Sequence, residues 1–339
     1  MKEKVYLSGY TNKGKGVYIA ELDTQAQTIS TPTPYIEIDR PTYIDVVDNH
    51  LYAIQEKGEW GGIAAYDISG DKPQHINSAL KKGSAPSYVK YDASRNMIYS
   101  CQFHGGKVYV DEVLADGKLK SKYTILLEGS GPKPEQDSSK PHFSGLTPDN
   151  KIIVCDYGSD KVSIFDLSDT KVPTLLSEYH APAGSAPRHL VFHPTKNIAY
   201  IICELESEIL VMDYSTTTHE LEFIEKISTL PDNFDGKNTA AAIRISNDGK
   251  FLYASNRGHN TIAIFEISED GKHLSNIADQ DINGQGPRDF DLDPTNNFLL
   301  SANQDSNDLT LFSRDVNTGL LTIVKDQVAI PECVCVKFV

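Results

Sequence analysis

No apolar run in this chain approaches the eighteen or so residues that a membrane helix needs, so no membrane span is expected. The first residues, Met1-Lys-Glu-Lys-Val-Tyr6, are basic but lead into no apolar stretch, and no secretory leader is expected. Cysteine is scarce and odd in number: there are five, without the spacing of a disulfide framework. Cys101, Cys155, Cys203 and the pair Cys333-x-Cys335 read as reduced, buried strand residues, which suits the cytoplasm. The single Trp, Trp60, and the lack of a Gly-His…Trp-Asp period argue against a WD-type repeat. No segment carries a 3.6-residue apolar stripe of helical length. His-x-x-His, Glu-x-x-His and Asp-rich loops are all missing, so neither a metal nor another cofactor is expected. Lys13-Gly-Lys-Gly16 lacks the spacing of a phosphate-binding loop and reads as a hairpin turn.

Positive charge is short as well. The formal net charge is −15 with a pI near 5.1, which repels phosphate backbones and argues against nucleic acid as a partner. An anionic small molecule would need a local basic cluster to overcome that field.

What the chain does have is repetition. A Pro-led entry, a short apolar strand, a polar turn and further strands recur from Pro41, Pro86, Pro141, Pro187, Asn238 and Pro287. Successive entries lie 45, 55, 46, 51 and 49 residues apart, the spacing of four-stranded propeller blades. Turns such as Asn247-Asp-Gly249 and Asp293-Pro-Thr-Asn296 separate the strands. The chain ends supply a seventh unit. Pro331 to Phe338 repeats an entry strand and then stops, while Val5 to Tyr10 begins with the strand that should follow it. Pairing the two closes the ring and removes two exposed sheet edges. The expected architecture is therefore all-β: a seven-bladed β-propeller of four-stranded antiparallel blades, one domain spanning 1–339.

With the strands of a blade lettered A to D outward, the start of A and the end of B share one face. Residues at the start of A are Thr42, Ser87, His142, Arg188, Thr239, Arg288 and Glu332. Residues at the end of B are Tyr10, Glu56, Phe103, Tyr157, Glu204, Arg257 and Gln304. Taken singly, Arg188, Arg288 or Glu204 has a second reading as half of a structural ion pair, and His142 alone reads more readily as an ordinary turn histidine than as a catalyst. Jointly, three arginines, a histidine and a carboxylate in four consecutive blades point to a binding site at one mouth, since other blades use Thr, Ser and Phe there. His193 falls in an A–B turn on the other face, His50 in a comparable turn, and His180 and His219 outside both rings. Two long D–A connections, 129–140 and 230–237, emerge on the charged face, where Lys133, Lys140 and Lys237 can supplement the arginines.

At these residues the sequence resembles the seven-bladed lactonase family, which includes bacterial 6-phosphogluconolactonases and fungal carboxymuconate cyclase. The resemblance runs along nearly the whole chain. Pro187-Arg-His-Leu-Val-Phe-His-Pro194 with Cys203-Glu-Leu205, Ser246 to Gly258, Gly286-Pro-Arg-Asp-Phe290 with Ala302-Asn-Gln-Asp-Ser306, and Pro331 to Phe338 carry it. The resemblance implies catalytic and substrate positions at His142, Arg188, Glu204 and Arg257, with Arg288 beside them. Gln102-Phe103 departs from the Asn-Tyr common in the second blade, and Ala242 stands where a carboxylate is common.

The expected activity is hydrolysis of a sugar lactone. First choice is 6-phosphoglucono-1,5-lactone, opened to 6-phosphogluconate as in the pentose phosphate pathway, by metal-independent acid–base catalysis. Glu204, Arg257 and His142 are the catalytic candidates. Arg257 faces the oxyanion, and the base and acid parts of Glu204 and His142 are interchangeable on this reading. Arg188 and Arg288 suit the phosphate, because guanidinium grips it in a two-pronged fork. Asn256, Asn303 and Glu56 are further expected substrate contacts. Two other readings share the scaffold: cyclisation of a muconate-type diacid, or hydrolysis of an unphosphorylated lactone. A non-enzymatic interaction propeller would instead show apolar anchors around its face.

Overall fold

A computed structural model describes residues 1–167 and 172–339. They form seven antiparallel sheets, each a run of neighbouring strands, and the fold is a seven-bladed β-propeller. Among the described residues helix is confined to two single 3₁₀ turns, Phe103–Gly105 and Pro134–Gln136. Among the described residues no helix is long and apolar enough to cross a membrane.

The first blade holds strands Ile44–Val47, His50–Lys57, Trp60–Asp67 and Gln74–Lys82. The second runs from Tyr88–Asp92 to Leu119–Leu126, the third from Pro141–Leu146 to Thr174–His180, and the fourth from Pro187–Phe192 to Leu221–Ser228. The fifth spans Thr239–Ile245 to Leu274–Asp281 and the sixth Pro287–Leu292 to Leu321–Ala329. In the seventh, Cys333–Phe338 pairs with Lys2–Gly9 through Val5↔Phe338 and Leu7↔Val336, and Gly16–Asp23 follows outward. The closure expected from the two chain ends is thus present in one sheet.

The chain divides into two compact units. One comprises Met1–Glu37, His189–Asp213 and Glu222–Val339; the other comprises Ile38–Arg188 and Tyr214–Leu221. In the first unit, alternating inward residues of successive blades build continuous apolar layers. Ile198, Tyr200 and Ile202 pack with Leu252, Ala254 and Phe265, and Tyr253 with Phe290, Leu299 and Phe312. In the second unit Tyr52, Ile54 and Ile63 pack with Val89 and Ile98. A stripe of period two on B and C strands is what such stacking requires. Buried tyrosines keep their hydroxyls satisfied: Tyr200 donates to the Gly271 carbonyl at 2.7 Å and Tyr253 to that of Gly319 at 2.8 Å. All five cysteines are buried, in strands, and unbridged.

Two features of the repeat set the site. The residue before the blade entry adopts the left-handed conformation in four blades: Arg40 (φ 50°), Ala186 (φ 58°), Gly286 (φ 68°) and Glu332 (φ 49°). Three of these precede Pro41, Pro187 and Pro287, so the fourth aligns Cys333, not Pro331, with the entry prolines. The other feature is a β-bulge at the start of A. Pro141 pairs with Asp156 and Phe143 with Cys155, which leaves His142 as the extra residue. Pro287 pairs with Asn303 and Asp289 with Ala302, which leaves Arg288 extra. A bulge turns one side chain out of the ladder without breaking the sheet.

Candidate functional site

The register corrects two ring members. Gly9 pairs with Cys333 and Ser8 with Cys335, so Val334, not Glu332, occupies the bulge position of its blade. Ala240 pairs with Asn256 and Ile243 with Ala254, so the equivalent in the fifth blade is Ala241, not Thr239. Both entry turns carry two residues more than the Pro-led pattern implies: the fifth blade has no Pro there, and in the seventh Pro331 stands two residues before Cys333, which aligns with the entry prolines. The bulge positions that bear chemistry are therefore His142 and Arg288.

In the first unit the central feature is an ion pair. Glu204 follows the strand Ile198–Cys203, and Arg257 ends the strand Phe251–Arg257. Arg257 Nη2 lies 3.0 Å from Glu204 Oε1, with side-chain exposures of 15% and 16%. These low exposures decide that the pair is largely shielded from water, so its attraction is screened less than that of a surface pair. The same Nη2 donates to the Ala240 carbonyl at 3.2 Å, and the Ala240 amide donates to the Glu204 carbonyl at 3.1 Å. The entry of the fifth blade thus clamps both partners. Arg257 Nε is buried and bonds nothing, so the guanidinium retains donor capacity. Arg288 is half-buried; its Nη1 lies 3.5 Å from Gln304 Oε1, at the limit of a hydrogen bond.

In the second unit His142 and Arg188 are both buried. The His142 ring stands edge-on to Phe103, 5.7 Å between centroids at 84°. Phe103 also touches His104 at 5.1 Å and Tyr157 at 5.4 Å, and Lys140 Nζ lies 5.9 Å over its face. The Phe that departs from the common Tyr is thus the hub of an aromatic cluster that fixes the His142 ring. Glu56 is not free for a ligand: Arg40 Nε holds its Oε2 at 3.2 Å.

Asn256 and Asn303 have a different job from the substrate contact expected of them. Both are fully buried. Asn256 accepts from Thr229 Oγ1 at 2.7 Å and Asn238 Nδ2 at 3.0 Å, and donates to the Thr229 carbonyl at 2.6 Å. Asn303 donates to Asp308 at 2.7 Å and to Thr310 Oγ1 at 2.9 Å. At the same position in the third blade, Asp156 accepts from Ser139, Ser159 and the Lys140 and Gly158 amides. The penultimate residue of the B-strand end pins the mouth loops from beneath, and buried polar groups so satisfied have nothing left to offer a ligand.

The loop 129–140 is tied down likewise. Gln136 is fully buried and donates to the Tyr157 carbonyl at 2.8 Å and to Asp160 at 2.7 Å. Lys140 Nζ is occupied by Asp137 at 2.6 Å and the Glu135 carbonyl. In the loop 230–237, Phe234 meets His259 edge-on at 4.7 Å. His259 and His104 sit in B–C turns, next to ring positions, where the alignment of strand ends gives no signal. His259 Nδ1 is taken up by Thr261 Oγ1 at 2.8 Å. His193 lies in its A–B turn as expected, against Gly249 and Lys196. Among the described residues no three His, Cys, Asp or Glu side chains gather as a metal ion would require.

Comparison with known proteins identifies the family of the fold. A family model described as "Lactonase, 7-bladed beta-propeller" matches residues 4–338. The chain is 36% identical to a Bacillus subtilis protein named 6-phosphogluconolactonase, covering 98% of this chain and 97% of that one. A crystal structure of a Lactobacillus plantarum protein superposes with a TM-score of 0.97 at 39% identity, covering the whole of both chains. A putative 6-phosphogluconolactonase from Bacteroides fragilis superposes at 0.91 and 27% identity, covering 100% of this chain and 98% of that one.

Proposed function

The chain belongs to the lactonase family of seven-bladed β-propellers, and from that premise we propose that it hydrolyses a sugar lactone, 6-phosphoglucono-1,5-lactone before others. The observation that carries this reading is the shielded Glu204–Arg257 pair, clamped by the backbone of Ala240. Opening a lactone needs a base for water, a cation for the charge that develops on the carbonyl oxygen, and a proton for the departing ring oxygen. Glu204 takes a proton from water, and the hydroxide adds to the carbonyl carbon. Arg257, with a donor left over, faces the resulting oxyanion, a task worth roughly 10²–10³-fold in rate. Its fixed position means that little reorganisation accompanies the charge movement. The carbon–ring-oxygen bond then breaks, the oxygen takes a proton, and the product leaves as a carboxylate.

His142 is assigned the proton for the ring oxygen, on its bulge position and its ring fixed by Phe103. Arg188 and Arg288 are assigned the phosphate. Arg288 has the better-supported part, since Gln304 engages it only weakly and leaves most of its five donors for an anion. Support for the phosphorylated substrate comes also from the Bacillus subtilis relative that bears that name.

The test is a substrate panel on the purified protein: 6-phosphogluconolactone, glucono-1,5-lactone and a muconate-type diacid, each with its spontaneous rate subtracted. The expected result is highest kcat/KM for the phosphorylated lactone. Preference for the diacid, or equal rates on both lactones, overturns the substrate assignment.

A further inference from the structure

Three places after the mouth residue, the B–C turn of four consecutive blades carries a residue in the left-handed conformation: Asp160 (φ 54°), Ser207 (φ 52°), Asn260 (φ 60°) and Asn307 (φ 61°). Asn and Asp tolerate that backbone better than other residues with a Cβ, because their short polar group bonds locally. In three of these turns the side chain also reaches the next blade. Its Oδ1 accepts from the backbone amide just before the following entry: Asp160 from Ala186 at 2.8 Å, Asn260 from Gly286 at 2.9 Å and Asn307 from Glu332 at 3.2 Å. Ala186 and Gly286 each stand two residues before an arginine of the candidate site, Arg188 and Arg288.

Asn260 joins two cations of the first unit. Its Oδ1 accepts not only from Gly286 but also, at 3.3 Å, from the amide of Gly258, the residue directly after Arg257. Its own amide donates to the Asn256 carbonyl at 2.8 Å, which closes the turn. One oxygen thus holds the residue after Arg257 and the residue two before Arg288. Gly286 is gripped from its own blade as well: its carbonyl accepts from the Gln304 amide at 2.9 Å. At φ 68°, with Asp305 against the place a Cβ would take, glycine is the residue that fits. Pro287 fixes the next φ, and Arg288 then leaves the ladder at its bulge. Along this path the Cα atoms of Arg257 and Arg288 are at most about 18 Å apart. Two arginine side chains with a phosphorylated hexose between them can fill a span of that size.

We propose that Asn260 is the positioning residue that sets the separation of Arg257 and Arg288, and so selects lactones whose anionic group stands at one fixed distance from the carbonyl. The assignment rests on the reading of those two arginines given above. Asn260 acts through the backbone on either side of it, by holding two entry and exit turns in one register.

The test is calorimetric binding of 6-phosphogluconate and of gluconate to the full chain, comparing wild type with N260G, N260D, R288A and the N260G/R288A double variant. Glycine keeps the left-handed backbone and removes only the accepting oxygen. N260G is expected to weaken phosphogluconate about five- to fifty-fold and gluconate clearly less, since misplacing a binding group by about 1 Å costs up to roughly 10²-fold. In turnover of the phosphorylated lactone the loss is expected in KM rather than kcat. N260D keeps the oxygen, as Asp160 does in the third blade, and is expected to recover part of the affinity. In the R288A background N260G is expected to add little, because the side chain it positions is gone. Melting curves check that each variant is folded. Equal loss for both ligands, no loss, N260D no better than N260G, or fully additive effects of N260G and R288A overturn the proposal. A wild type that binds no phosphogluconate overturns it together with the phosphate role of Arg288. Coupled binding without lactone turnover would refute the proposed activity and leave the part of Asn260 standing.

Discussion

Replacing Glu204 by Gln removes one charge at almost constant shape, and the geometry fixes what should follow. At 3.0 Å, with an effective dielectric near 20, the gross attraction to Arg257 is about 5 kcal/mol. Desolvation of a pair that is about five-sixths covered offsets much of this, and Gln still offers an amide oxygen to Nη2. The net loss of stability is therefore about 1–3 kcal/mol. For 339 residues, at about 2.1 cal/mol/K each, the unfolding entropy is about 0.7 kcal/mol/K, so Tm should drop by about 1.5–4 °C. Turnover should suffer far more. An amide cannot take a proton from water, and loss of a general base costs roughly 10²–10⁴-fold in kcat. The assays are a melting curve and a stopped-flow lactone assay with the uncatalysed rate subtracted. A folded variant with wild-type kcat would refute the base assignment. A fall in Tm above 10 °C would show instead that the pair is chiefly a structural clamp.

Arg288→Ala should raise KM for the phosphorylated lactone more than for gluconolactone, by roughly tenfold or more if its fork holds the phosphate; equal effects would remove that role. Asn256→Ala leaves the Thr229 and Asn238 partners unsatisfied in a fully buried site and should cost about 2–4 kcal/mol in denaturant unfolding. KM in the surviving folded protein should stay near wild type, and a selective rise in KM would restore Asn256 as a ligand contact. His193 is held below its ordinary value by burial and then by Lys196, although Gly249 partly opposes this. The folded protein therefore binds that proton less readily than the unfolded chain, and stability should decline as pH falls through about 6.5. His193→Gln should flatten the Tm slope between pH 7 and 5, and an unchanged slope would show that this histidine does not contribute.

The repeat was legible because strand period, turn residues and entry prolines recur together, so a misjudged residue in one blade is overruled by six others. The closure of Pro331 to Phe338 onto the first strand followed from the same count. The alignment misleads in the fifth blade, which has no entry proline, and in the seventh, where Pro331 stands two residues early. At Thr239 and Glu332 nothing in the local sequence marks a left-handed entry residue or a bulge, and only the ladder register places Ala241 and Val334 there. Asn256 and Asn303 failed differently. A polar residue one place before a mouth residue points the opposite way in a pleated strand, so it enters the blade rather than the opening. That alternation was available in the sequence. The edge-on packing of Phe103 on His142, which joins two blades, was not, since it depends on side-chain directions in two separate bulged or capped strand ends.

The most direct test of the central claim is hydrolysis of freshly prepared 6-phosphogluconolactone in EDTA, comparing wild type with the E204Q and R257A variants. A saturable rate well above the spontaneous one, unaffected by the chelator and lost in both folded variants, is the predicted result. A wild-type rate equal to the spontaneous one, or one abolished by EDTA, would contradict the account.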